Sequence, residues 1–182
     1  MINGLMIDIE SWGTDPGSVI LSIGAVMFDK ETGITGDTFR VDIKPQSCID
    51  AGLSISVDTI LWWFKQDKEA IKDMLKCQDG ISINEALIKL SDFIKTYAPD
   101  EVWGNGVRFD LGLLENAYHA LGLKAPWPYW AERDVRTLVS FAPEIRNGFF
   151  NASPHTPVND CIYQIKYCSA IWKHLNRNNS IT

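Results

Sequence analysis

Two acids interrupt an otherwise apolar stretch near the start of the chain, Leu5-Met6-Ile7-Asp8-Ile9-Glu10. Side chains alternate across a strand, so Asp8 and Glu10 point to one face and Ile7 and Ile9 to the other. Two unit charges roughly 5 Å apart repel by about 3 kcal/mol at an effective dielectric near 20, and desolvation adds to that cost. No Lys or Arg lies on this stretch to offset it. A divalent cation would, and oxygen-only ligands favour magnesium, manganese or calcium. The alternative is that the two acids sit past the strand end as solvated loop residues.

Two further places offer ligands or proton carriers. Asp110 follows a Gly104-Asn105-Gly106 turn at the start of a helical stretch, and His155 precedes Asp160 across the start of the last helix. Singly, each has a plain explanation. Acids in a first helical turn suit the helix dipole, and a histidine before a helix can be a surface residue. Together, four carboxylates and one histidine at element ends match a two-metal site with an adjacent base. Two ions about 3.5–4 Å apart can serve the attacking water and the leaving oxygen of a phosphodiester, while a neutral histidine takes the proton. No phosphate-binding glycine loop and no nucleophilic serine elbow competes. His119 and His174 fall inside helical stretches and read as surface or packing residues.

The elements that must position these groups follow in order. Leu5–Glu10, Val19–Phe28 and Thr38–Lys44 read as three strands with short connections, an antiparallel meander. Ser56 caps a helix from Val57, and Lys65, Lys68, Lys72 and Lys76 form one stripe if that helix continues. Beside Trp62 and Trp63 such a stripe could guide a nucleic-acid backbone, although the interleaved acids also suit a solvated face. Ser82 opens a helix to about Tyr97, and Glu101–Trp103 is a short strand. A helix from Phe109 to Leu121 ends at Gly122, and Asp134 caps another that ends at Pro143. Residues 144–153 read as a loop that could close over a site, and the last helix runs from Val158 to Leu175 behind Thr156 and Pro157. The polar tail, 176–182, is expected to fray.

At 182 residues the chain is expected to form one domain, 1–182. No stretch approaches a membrane helix and the N-terminus lacks a secretory pattern, so a cytoplasmic protein with no membrane partner is expected. Cys48, Cys77, Cys161 and Cys168 show no paired spacing, which reads as reduced thiols and no zinc site. A net charge of −6 argues against sequence-independent coating of duplex, but not against an enzyme gripping one strand end.

Asp8-Ile9-Glu10, Asn105 with Phe109-Asp110, and His155 with Asp160 resemble the three motifs of the DnaQ-like DEDDh 3′–5′ exonucleases, in order and across nearly the whole chain. The Ile23–Asp29 strand, Thr59–Lys65, Trp103–Gly106 and Arg133–Thr137 are similar to the phage and prophage branch that includes phage exonuclease A. That resemblance implies an α/β fold of the ribonuclease H type: a mixed sheet of three antiparallel strands then parallel ones, flanked by helices. It implies that Asp8, Glu10, Asp110 and Asp160 hold two Mg²⁺ or Mn²⁺ ions and that His155 is the general base. It also implies that Trp12, Asn105 and Phe109 touch the terminal nucleotide. Three residues rather than two separate Asn105 from Phe109, a departure from many members, and Arg108 among them could contact phosphate. The implied activity is hydrolysis at a single-stranded 3′ end, DNA first and RNA as the alternative, releasing nucleoside 5′-monophosphates; a homodimer is compatible with it. A catalytically silent binding module and a calcium-stabilised structural domain are the readings from other classes.

Overall fold

All eight residues of the first strand, β1 (Gly4–Ser11), are buried, acids included. In the computed structural model, which describes residues 1–151 and 154–179, this strand is the middle of a five-stranded sheet. It pairs antiparallel with β2 (Ile20–Phe28), which pairs antiparallel with β3 (Thr35–Asp42). On its other side it runs parallel to β4 (Glu101–Gly104), which runs parallel to β5 (Glu132–Asp134). The order β3-β2-β1-β4-β5 is the expected mixed sheet. The edge strand β5 has only three residues and carries no periodic signal, so the sequence reading passed over it.

Helices cover both faces. Leu5, Ile7 and Ile9 join one core with α4 (Ile83–Tyr97) and α5 (Asp110–Ala120), while Met6 joins a second with α6 (Val135–Ser140) and α8 (Pro157–Asn179). Each fully buried Leu or Ile contributes roughly 1.5–3 kcal/mol, which sets the strand's register firmly. Asp8 and Glu10 share the parity of Met6, so they face α8. All four cysteines are buried and free, and Cys161 and Cys168, two helical turns apart, pack on one face of α8.

The smaller helices are α1 (Pro45–Asp50), α2 (Val57–Trp63), α3 (Lys68–Met74) and α7 (Pro143–Asn147). Three departures from the sequence reading matter. The lysine stripe is not one helix: α2 stops at Trp63, and Asp67 caps a new helix by accepting the Ala70 N–H at 2.9 Å. Residues 144–153 are not all loop, because Pro143 starts α7 rather than only ending α6; residues 152–153 lie outside the described residues. The last helix continues to Asn179, through part of the expected frayed tail, and residues 180–182 lie outside the described residues. Among the described residues no helix is long and apolar enough to cross a membrane.

Candidate active site

Two glycines make room for the acids. Gly24 is the β2 partner of Asp8, and a Cβ there would lie 2.6 Å from the Pro157 carbonyl carbon. Only hydrogen at that position lets the first turn of α8 press onto the sheet, which carries Asp160 toward β1. Gly104 ends β4, and a Cβ there would stand 3.2 Å from Asp110 Oδ2. Carboxylate oxygens of Asp8, Glu10 and Asp160 thereby come within 4.8 Å of one another. Asp110 lies behind them, 1% exposed, its Oδ1 accepting the Ile9 N–H at 3.4 Å.

Supporting hydrogen bonds fix this arrangement. Gln164 donates Nε2 to Asp8 Oδ1 at 2.9 Å. The Thr156 N–H reaches Asp160 Oδ2 at 3.1 Å, and Asn151 Nδ2 donates to Asp160 Oδ1. Gln164 stands one turn after Asp160 on α8, a four-residue spacing that could have revealed it from the sequence; Asn151 sits in an aperiodic stretch and gave no such signal.

The electrostatics oppose four bare charges. Burial, then the neighbouring charges of Asp110, Glu10 and Asp160, push the Asp8 carboxyl well above its ordinary range. Burial and the charges of Asp160 and Asp110 do the same to Glu10. Burial raises Asp110 to about 7, and raises Asp160 against the pull of the Thr156 and Asn151 hydrogen bonds. Asp110 Oδ2 is buried and, among the described residues, has no hydrogen-bond partner. An all-oxygen donor set with an orphaned oxygen fits hard divalent cations.

His155 stands at the mouth with φ of 61°, a left-handed backbone that is costly for a residue with a Cβ. Its ring meets Trp62 and Trp63 edge-on, with centroids 5.1 and 5.7 Å away. Trp63 is itself tethered to β1 through Nε1 to the Ser11 carbonyl at 3.0 Å. The tryptophan pair, read from the sequence beside a lysine stripe, thus frames the histidine.

Asp8, Glu10, Asp160 and His155 line one cavity of about 640 Å³, with Asn105 and Phe109. Asp134 positions the loop that bears those two: its Oδ1 caps α6 and its Oδ2 accepts the Val107 N–H at 2.7 Å. Trp12 is half-buried against the α4 side of the core, and Arg108 is exposed; neither lines the cavity. Arg146 of α7 and Tyr163 and Tyr167 of α8 do, without having been singled out by the sequence.

A family model described as the 3′–5′ exoribonuclease Rv2179c-like domain matches residues 3–172. The exodeoxyribonuclease of Enterobacteria phage T4 is 22% identical over 201 residues, spanning 89% of this chain and 87% of the phage protein. The nuclease domain of 3′hExo, a DEDDh family member solved with rAMP, superposes with a TM-score of 0.63 at 14% identity, covering 96% of this chain and 92% of that one. E. coli exonuclease I, solved with a dT13 oligonucleotide, gives 0.73 at 15% identity; the match covers 97% of this chain but 42% of that one. At such identities the structural likeness establishes the fold.

Proposed function

Since the chain belongs to the Rv2179c-like 3′–5′ exoribonuclease domain family, we propose that it removes nucleoside 5′-monophosphates from single-stranded 3′ ends, with DNA as the main substrate. The observation that carries this reading is the convergence of Asp8, Glu10 and Asp160 in the cavity that also holds His155. DNA is favoured by the phage exodeoxyribonuclease, which matches along most of both chains. RNA is the second reading, favoured by the description of the family model.

In this reading Asp8, Glu10, Asp110 and Asp160 would hold two divalent ions, Mg²⁺ or Mn²⁺. When bound, the ions offset the carboxylate charge and that of the phosphodiester and make water more acidic. Gln164 keeps Asp8 aimed at the site, and Asn151 with the Thr156 N–H does the same for Asp160. His155, its ring held by the two tryptophans, accepts the proton of the attacking water. Attack is in line with the bond to the leaving 3′ oxygen. Asn105 and Phe109 line the cavity where the terminal nucleotide enters.

The test is digestion of 5′-labelled DNA and RNA oligonucleotides, single-stranded and with 3′ overhangs, in magnesium or manganese. A ladder shortening from the 3′ end, with mononucleotide products and DNA cut faster than RNA, is expected. Internal cuts or no metal-dependent product would overturn the proposal.

A further inference from the structure

A second cleft, of about 780 Å³, adjoins the catalytic cavity: Pro154 lines both. Thr156 and Asn159, from the turn that presents Asp160, form part of its wall. Four basic side chains line it, Arg40 from β3, Lys68 and Lys72 from α3, and Lys76 just beyond. Three acids line it as well, and Glu69 stands beside the lysines on α3, while the other two are engaged. Asp67 caps α3, and Asp73 accepts from Arg40 and Lys76. Lys68 and Lys72 make no ion pair among the described residues, although the chain carries a net charge of −6. They lie one turn apart, about 6 Å along the helix axis, which matches consecutive phosphates of an extended strand.

We propose that this cleft binds the backbone phosphates of the substrate strand behind its 3′ end, with Lys68 and Lys72 as the direct contacts and Arg40 and Lys76 as charges held in place by Asp73. The inference rests on the exonuclease reading, because it supplies the strand that must leave the catalytic cavity. It is sequence-independent, since backbone phosphates position a strand without reading it. The break between α2 and α3 is what makes it possible: Asp67 starts a new helix whose lysines face the α8 end rather than continuing the line of α2.

The experiment compares the intact protein with Lys68→Ala/Lys72→Ala, and with Lys124→Ala as an exposed lysine outside both cavities. Affinity for a fluorescent oligothymidylate of about 12 nucleotides is read by anisotropy in EDTA over a range of salt, and KM is read for that strand and for a dinucleotide. The double variant is expected to bind the long strand on the order of ten-fold more weakly, with a salt slope shallower by about 1.4, and to lose most of the KM advantage of the long strand over the dinucleotide. Lys124→Ala keeps all three. Equal affinity, slope and KM ratio in the double variant and the intact protein would remove the cleft from the strand's path. If the intact protein binds the strand through these lysines but cuts nothing with metal, the exonuclease reading fails and the cleft stands. If the intact protein binds no strand, both fall.

Discussion

Replacing Asp110 by Asn should make the metal-free protein more stable while abolishing hydrolysis. The carboxyl is 1% exposed, its Oδ1 has one long bond from the Ile9 N–H, and its Oδ2 has none among the described residues. Burial raises it from 3.8 to about 7, so the folded state binds this proton more tightly than the unfolded chain does. The sign follows from linkage. The stabilisation is complete below about pH 4 and is lost as pH rises through about 7. A displacement of that size corresponds to about 4 kcal/mol of stability missing above neutrality. Asparagine keeps the shape and the Oδ1 acceptor without the charge. In EDTA near pH 8 the variant should therefore gain up to about 4 kcal/mol, or roughly 10 °C in Tm for a chain of this size. Near pH 5 the difference should fall to about 1.5 kcal/mol, and below about pH 4 toward zero. Magnesium should close the gap from the other side, since a ligand at about 100 times its Kd adds about 2.7 kcal/mol to the intact protein and less to a variant missing one donor. Urea and thermal unfolding at both pH values, with and without metal, read all of this. A variant no more stable than the intact protein near pH 8 in EDTA would refute the claim that the buried carboxylates strain the fold.

Asp8→Asn or Asp160→Asn should nearly abolish metal-dependent release of mononucleotides, and wild-type turnover in either would defeat the two-ion assignment. His155→Ala should slow the chemical step by roughly 10²–10⁴, read in single turnover at saturating metal; an unchanged rate rejects the general-base role. Gly24→Ala brings a methyl group to within 2.6 Å of Pro157, so α8 must shift. A loss of about 1–3 kcal/mol in urea unfolding, together with reduced turnover, is expected. Unchanged stability and rate would show that the contact between β2 and α8 does not set the position of Asp160.

The parts of this molecule legible in the sequence are those whose signal is local. Alternation placed Asp8 and Glu10 on one strand face, and Ser56, Ser82 and Asp134 marked helix starts that their side chains do cap. The three strands of the meander were visible for a related reason, each being a short apolar or alternating run bounded by turn residues. What was hidden depends on residues far apart in the chain. Gly24 reads as an ordinary strand glycine until Pro157 is seen against it, and the left-handed backbone of His155 has no local cue. Nor does anything local single out Asp67 as a helix cap, because no Gly or Pro ends the helix that starts at Val57 before it.

This division bears on how the site works. The acids themselves are encoded in short motifs, but their spacing is set by how closely α8 approaches the sheet, and that distance is controlled at Gly24 and sealed by Met6, Cys161 and Ile165. Gln164 and Asp160 ride on the same helix, so any movement of α8 displaces one proposed ligand and the hydrogen-bond partner of another together. The carboxylates favour such movement in the absence of cations, because they repel and are poorly hydrated. Bound cations would offset that repulsion. On the proposed two-ion reading, the tightness of the core behind α8 is what would keep the site assembled without metal, and a cavity there, as in Ile165→Ala, should weaken apparent metal affinity without touching a proposed ligand.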